Sequence, residues 1–335
     1  AGDLKQLVDK WSVTWINVDG TGDTEQVLRL GKLFNLHELA IEDVINLHQR
    51  AKVDVYNDQL FIILRMPTWQ DGQLHQEQLC IVLGDKFVLT FQEEPGGDSL
   101  DPVRDRIRKG FGQIRSAKSD YLVYSIIDAV VDGYFPVIEK IGDLLEELED
   151  EILERFDRRS PANILELKRE ILNVKRAIWP AREALNLLIR DDLPHIDPHT
   201  KIYLRDCYDH VIRIIDLVEQ QREMCTDLMD LYLSSASNRM NEVMKVLTMI
   251  TLIFMPPTLV AGIYGMNFNT EISKWNMPEL NWIFGYEFAL ALMFLSAIVV
   301  WAIARLRGWM QDADLLQPGV HEQVRVDNGV VPRKA

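Results

Sequence analysis

The sequence predicts a small α/β domain, then long helices, then two C-terminal transmembrane helices. Three observations predict it. Strand-like runs are confined to residues 11 to 95. From about Asp101 onward they vanish and helical periodicity takes over. Near the C-terminus two stretches lose all charge, each close to the roughly 20 residues that cross a hydrocarbon core about 30 Å thick.

The elements follow in chain order. "SVTWINV" (12 to 18) alternates and is rich in β-formers. "TEQVLRLGKLF" and "ELAIEDVIN" have helical spacing. "QLFIILRMP" (59 to 67) reads as a strand, and "QLCIVLGDKFVLTFQ" (78 to 92) as a hairpin turning at Gly84-Asp85. Residues 1–100 are thus assigned to the α/β domain and 101–195 to long helices. Ser119 to Phe156 and Pro161 to Leu188 are two long helical patterns, with Ser160-Pro161 as a start signal and Trp179-Pro180 as an expected kink. The segment "DLLEELEDEILE" places seven acids within 143 to 154. Such a run is ordinarily a solvated face, and it also attracts cations.

From Pro198 to Pro256 no glycine or proline interrupts the chain. One helix is expected to run from the aqueous region into the membrane, about 100 Å for roughly 65 residues. A helix that long needs partners, either other copies of the chain or the preceding helices. Residues 196–264 are assigned to this helix and the first span, 265–285 to an outer loop, 286–306 to the second span and 307–335 to a tail.

The first span is Val246 to Ile263, eighteen residues without a charge. Pro256-Pro257 inside it would break a soluble helix, but a membrane helix tolerates them where neighbours or water satisfy the freed carbonyls. The second is Phe288 to Ala304, with Leu280 to Gly285 expected to extend it. Arg239 and Lys245 precede the first span and Arg305 and Arg307 follow the second, whereas the connecting loop holds one Lys and two Glu. Positive-inside then puts both termini in the cytoplasm and the loop outside.

Composition narrows the function classes. Acids number 51 against 36 bases, a net charge of −15, and no basic stripe occurs, so nucleic acid is not an expected partner. Cys80, Cys207 and Cys225 are odd in number and far apart, which argues for a reducing compartment and against a disulfide framework. No nucleophile–base set and no GxxxxGK[ST] occurs, so no enzyme and no ATP-driven pump is expected. No signal peptide opens the chain, and its Ala1-Gly2 start leads us to expect missing N-terminal sequence. His195-x3-His199 has metal-ligand spacing, but Pro194 and Pro198 make a loop the better account; His37, His48, His75 and His210 show no partner set.

A heptad reading of the first span puts Asn241, Thr248, Met255 and Gly262 in one row and Met244, Thr251, Thr258 and Gly265 in the next. The other positions are mostly branched aliphatic. A stripe of amide, hydroxyl, thioether and glycine fits close helix packing in lipid, and it equally fits a pore wall.

"YGMNF" directly after a span, with "MPEL" (277 to 280) before the next, resembles the CorA family of divalent-cation channels. "AIEDVINLHQR" (40 to 50), "DYLVYSIIDAVVDGYF" (120 to 135), "RDCYDH" (205 to 210) and "DLYLSSASNRMNEVMKVLT" (230 to 248) extend the resemblance over almost the whole chain. The resemblance implies a funnel-shaped homopentameric channel in a bacterial or archaeal cytoplasmic (inner) membrane. It would conduct Mg²⁺, and often Co²⁺ or Ni²⁺. It implies a selectivity filter at Gly265, Met266 and Asn267, and a pore lined by Asn241, Met244, Met255, Thr258 and Gly262, with Leu247 beside them and Thr248 and Thr251 on the same stripe. It further implies regulatory Mg²⁺ between subunits at Asp43 and Asp206, and a second such site near Glu42 and Asp128.

The physics of such a mouth is consistent. Mg²⁺ sheds water reluctantly, so neutral amide oxygens would hold it through its hydration shell, and a carboxylate ring would hold it too long. Gly265 is expected to turn the backbone through an unusual φ/ψ. Met244, Leu247 and Met255 would close the pore as dewetting apolar rings. Three departures from the family pattern stand out. About six extra residues lie within "NTEISKW" before MPEL, Arg305 and Arg307 replace a terminal lysine cluster, and the first few strands are missing. The tail 311–335 reads as disordered. Two other readings stand beside this one: a Zn²⁺ transporter of the related branch, with or without proton coupling, and a membrane-anchored helical signalling protein.

Overall fold

The computed structural model of the chain describes residues 10–307, apart from 71, 95–98, 155, 191, 194, 270 and 274, together with residues 4 and 8. The tail at 311–335 and Pro194 of the histidine loop lie outside these. The chain divides into two compact units, residues 1–236 and 237–335.

The first unit is built on a five-stranded sheet ordered β1-β5-β4-β3-β2. Its strands are β1 (Thr14–Asp19), β2 (Lys52–Tyr56), β3 (Gln59–Gln70), β4 (Gln73–Leu83) and β5 (Phe87–Gln92). Strands β2 to β5 form an antiparallel meander, and β1 joins β5 in parallel, Thr14 opposite Phe87. Alternate residues of β3 serve two cores. Leu60, Ile62, Leu64 and Met66 pack on the long helices; Phe61 and Ile63 pack on α1 (Thr24–Leu33) and α2 (Glu38–Ile45). A strand covered on both faces needs an unbroken apolar run, which is what "LFIIL" supplies. Each fully buried Leu or Ile contributes roughly 1.5–3 kcal/mol.

The turns fix the register. The β4–β5 turn falls at Gly84-Asp85, as expected. A Cβ on Gly84 would meet the Phe87 ring at 2.5 Å, so only glycine lets that ring close the turn. The β2–β3 turn carries Asn57 at φ 54, a left-handed conformation that asparagine tolerates. Strand β2 was not foreseen. It is an edge strand in which Lys52 and Asp54 alternate with Val53 and Val55, and edge strands carry charges more readily than central ones.

The helices follow: α3 (Asp101–Lys109), α4 (Ser119–Asp132), α5 (Tyr134–Glu154) and α6 (Ser160–Arg190). The single helix expected over 119–156 is two. The break falls at Gly133, where a Cβ would come within 2.9 Å of Ser99 Oγ. Its φ of −61 is still helical, so the apolar periodicity runs through it unbroken. Helix α6 continues through Pro180.

Helix α7 (Pro198–Tyr264) has 67 residues, about 100 Å at 1.5 Å each. Asp197 caps it: Oδ1 accepts from the His199 amide at 3.0 Å, while the Asp197 amide donates to Asp120 Oδ2 at 2.9 Å. Helix α7 also runs through Pro256 and Pro257, so the carbonyls of Leu252 and Ile253 lack their amide donors one turn on.

In the second unit, α7 is followed by a loop, a 3₁₀ turn (Pro278–Asn281) and α8 (Gly285–Leu306). Gly285 opens α8, but Leu280 to Phe284 do not extend the second span as part of that helix. A Cβ on Gly285 would sit 2.2 Å from the Glu279 carbonyl oxygen, so the chain bends there before α8 begins. Three stretches among the described residues are long and apolar enough to cross a membrane. One of them, Ser119–Glu154, is 67% buried in the first unit, and the core accounts for its apolar residues. The most apolar window of α7 is 0% buried and that of α8 11%, which leaves lipid to cover them.

Candidate cation path and acidic cluster

Gly265, Met266 and Asn267 follow the last turn of α7. The Gly265 amide donates to the Ala261 carbonyl at 2.9 Å and the Met266 amide to that of Ile263 at 3.1 Å. Gly265 is not at positive φ, contrary to expectation. The reason for glycine is a close approach: its Cβ would lie 3.2 Å from the Ala261 oxygen. Asn267 is exposed just past this turn, and its neighbours Met266 and Phe268 are about half exposed.

A trough of about 680 Å³ runs along α7. Thr251, Met255, Thr258, Gly262 and Met266 line it, with Phe254, Leu259 and Ile263 as walls. The rows of the polar stripe nearest the end of α7 thus share one groove, which reaches Met266, the residue before Asn267. Thr251 and Thr258 donate their hydroxyls to the carbonyls of Leu247 (2.9 Å) and Phe254 (2.7 Å). Their oxygens keep lone pairs free, so each presents an acceptor and no free proton. Asn241, Met244, Leu247 and Thr248 are exposed on α7 outside this trough.

The four acids expected at the regulatory sites have different surroundings. Asp43, on α2, is already paired: Lys52 Nζ lies 2.7 Å from its Oδ2 and 2.8 Å from Asp54 Oδ2. Burial works to lower the Lys52 pKa, but these carboxylates outweigh it and hold the ammonium above its ordinary value. A cation reaching Asp43 would compete with Lys52. Glu42 and Asp206 are exposed, and neither makes an ion pair among the described residues.

Asp128 belongs to a cluster that the sequence did not reveal. With Asp132 on α4 and His210 on α7, it offers ligand atoms all within 4.8 Å of one another. His210 thus has partners after all. Its Nδ1 lies 3.5 Å from Asp132 Oδ1, and its ring meets Phe135 edge-on at 6.0 Å. The available signal was a pair of i, i+4 spacings, Asp128/Asp132 and Asp206/His210, each putting its two side chains on one helix face. Asp128 is 19% exposed, with Arg106 at 3.8 Å and the Cys207 thiol donating to it at 3.5 Å. Burial and then the Asp132 charge push its carboxyl above the ordinary range, although Cys207 and Arg106 pull it back. Two carboxylates and an imidazole of this spacing suit a divalent cation, which would also relieve the like-charge cost.

His195 and His199 do not act together. His195 Nε2 lies 2.7 Å from the Asp58 carbonyl, and the His199 ring packs on Tyr203 at 5.2 Å. The loop reading of this motif stands.

The family described as "CorA-like Mg2+ transporter protein" matches residues 11–306. The cobalt/magnesium transport protein CorA of Thermotoga maritima is 46% identical over 305 residues, covering 90% of this chain and 85% of that one. The complete structure of the CorA magnesium transporter from Methanocaldococcus jannaschii superposes with a TM-score of 0.77 at 26% identity, over 89% of this chain and 92% of the other. The ZntB cytoplasmic domain from Vibrio parahaemolyticus matches at 0.56 and 14% identity over 67% of this chain and 88% of its own, a likeness of fold alone.

Proposed function

The chain belongs to the CorA-like Mg²⁺ transporter family, and from that premise we propose that it is a homopentameric channel importing Mg²⁺, and also Co²⁺ and possible Ni²⁺ cargo, down the electrochemical gradient. As a member of a transporter family it is not an enzyme. It sits in a bacterial or archaeal cytoplasmic membrane with both termini inside and the loop after Tyr264 outside.

The observation that carries the reading is the α7 trough. Thr251, Met255, Thr258 and Gly262 share one groove with Met266 of the Gly265-Met266-Asn267 turn, and no charged side chain occurs from Val246 to Thr270. Symmetry copies of α7 would turn these grooves inward around an axis. The Asn267 amides then form a neutral ring that holds the ion through its water shell, tightly enough to admit it and weakly enough to release it. Below the ring, Thr258 and Thr251 offer hydroxyl oxygens to hydrating water. Met255, and Met244 and Leu247 further down, supply apolar rings that exclude water when the pore narrows. The membrane potential drives passage: roughly 2.3 kcal/mol per charge per 100 mV, hence about 4.6 for a divalent ion.

Regulation is proposed at the acids of the first unit. Mg²⁺ at Asp43 and Asp206 between neighbouring subunits, with Glu42 and Asp128 at a second position, would neutralise carboxylates that otherwise repel. High cytoplasmic Mg²⁺ then favours one closed arrangement, and low Mg²⁺ lets the subunits part. Lys52 at Asp43 sets a threshold, because the ion must displace an ammonium already in place.

Flux of each cation into vesicles containing the purified chain tests the proposal. Mg²⁺ uptake that Co²⁺ inhibits, and that needs a negative interior potential but no proton gradient, is the expected result. Uptake of Zn²⁺ in preference, coupled to protons, would replace this reading with the transporter alternative.

A further inference from the structure

The twenty-residue loop between α7 and α8 and the first turn of α8 expose more apolar surface than such a segment would keep in water. Ile272, Trp275, Ile283 and Phe284 of the loop and Tyr286 of α8 are between 71 and 93% exposed. Scattered single hydrophobics on a surface are ordinary, but a run of this density marks an interaction surface.

Two observations say what covers it. The first is continuity with the spans. The loop leaves the end of α7 at Tyr264 and re-enters α8 at Gly285, so both its ends are fixed at membrane level. The tight bend at Gly285 holds Trp282 against the first turn of α8, its ring 5.8 Å from that of Phe288. The second is composition. Tryptophan and tyrosine settle at the boundary between headgroups and acyl chains, and apolar side chains such as phenylalanine beside them dip toward the acyl chains. The backbone is also prepared for partial loss of water. The Glu271 amide donates to Asn269 Oδ1 at 2.8 Å, Asn276 Nδ2 to the Asn269 carbonyl at 2.8 Å, the Leu280 amide to Met277 at 3.1 Å, and the Trp282 amide to Glu279 at 3.1 Å. Amides already paired cost little to remove from water.

We propose that Ile272, Trp275 and residues 282–286 lie on the outer-leaflet interface of the bilayer, with lipid as their occupant, and so hold the Asn267 mouth at a set height above the hydrocarbon core. This rests on the reading of α7 and α8 as spans with the loop outside. It assigns the extra residues before MPEL a role: they bring Ile272 and Trp275 to the interface.

The full chain, reconstituted in phosphatidylcholine vesicles and carrying a nitroxide at one introduced cysteine, tests the proposal by collision with oxygen and with a water-soluble nickel chelate. Trp275→Cys and Ile283→Cys report the loop, Leu295→Cys the middle of α8, and Asp85→Cys the aqueous β4–β5 turn. The native cysteines are buried and stay unlabelled. Positions 275 and 283 should read intermediate between 295 and 85, and should become aqueous when Ile272, Phe284 and Tyr286 are changed together to Ser. Positions 275 and 283 reading as aqueous as 85, with 295 deep, would overturn the loop proposal alone. Shielding from both collision partners that persists in detergent would mean that a neighbouring subunit, not lipid, covers the loop, and would also overturn it. An aqueous reading at 295 would remove the spanning reading and the proposal with it.

Discussion

The two ends of α7 carry opposite chemistry. Near its start, Asp206, Asp209 and His210 crowd within two turns, and His210 joins Asp128 and Asp132 in a partly buried cluster. Toward its end, Thr251, Met255, Thr258 and Gly262 line one trough, and no charge occurs from Val246 to Asn267. On the proposed reading, the contrast follows from what a cation is asked to do at each place. A group that must hold an ion long enough to stabilise one arrangement uses carboxylates, whose attraction grows as water is excluded. A group that must pass an ion on uses neutral oxygens, because an ion bound tightly leaves slowly.

Four substitutions break or sharpen this contrast. The largest effect is expected at the neutral end. Asn267→Ala should reduce Mg²⁺ uptake into vesicles to background while chemical cross-linking still gives the wild-type oligomer; normal uptake would remove the amide from the mechanism. Next comes the charged end. Asp206→Ala should raise the Mg²⁺ needed to protect the helices of the first unit from protease by about tenfold, equivalent to about 1.4 kcal/mol. An unchanged protection curve would take Asp206 out of the regulatory site.

The third concerns pH. The Asp128 carboxyl titrates above its ordinary range in the folded chain, so the folded state binds its proton more readily than the unfolded state. Its contribution to stability is therefore full below the ordinary carboxylate value and is lost as pH rises through the folded value. Thermal melts in EDTA should show Tm falling across that window in the wild type and a flatter profile in Asp128→Asn. Added Mg²⁺ should reverse the wild-type slope, because a bound cation favours the ionised carboxylate. The smallest effect is expected from Thr258→Val, which removes one hydroxyl bonded to its own helix. It should cost about 0.5–1 kcal/mol of stability and leave flux within about fivefold of wild type.

Much of this was legible before any coordinates. Apolar runs covered on both faces announced β3 and β4, Gly84 marked their hairpin with β5, and uninterrupted periodicity announced α7. What escaped did so for physical reasons. Strand β2 hides because an edge strand keeps charges, here Lys52 and Asp54. Gly133 hides because it stays near helical geometry, so only its close contact with Ser99 betrays a break. Gly265 was legible as a glycine that matters, but φ was the wrong reason; a neighbouring carbonyl is the right one. His210 was missed because its partners come from α4, far back along the chain, and one-dimensional spacing does not register a contact between two helices. For the same reason the Lys52 partner of Asp43 was invisible until β2 was known.

Pro256 and Pro257 give α7 a mechanical profile. For some fifty residues below them every backbone rung is available, whereas at the proline pair two successive rungs are missing. Stiffness along the rod is therefore uneven, and it is lowest within three turns of the mouth. The helix is therefore easiest to bend at Pro256 and Pro257, just before Thr258 and Gly262.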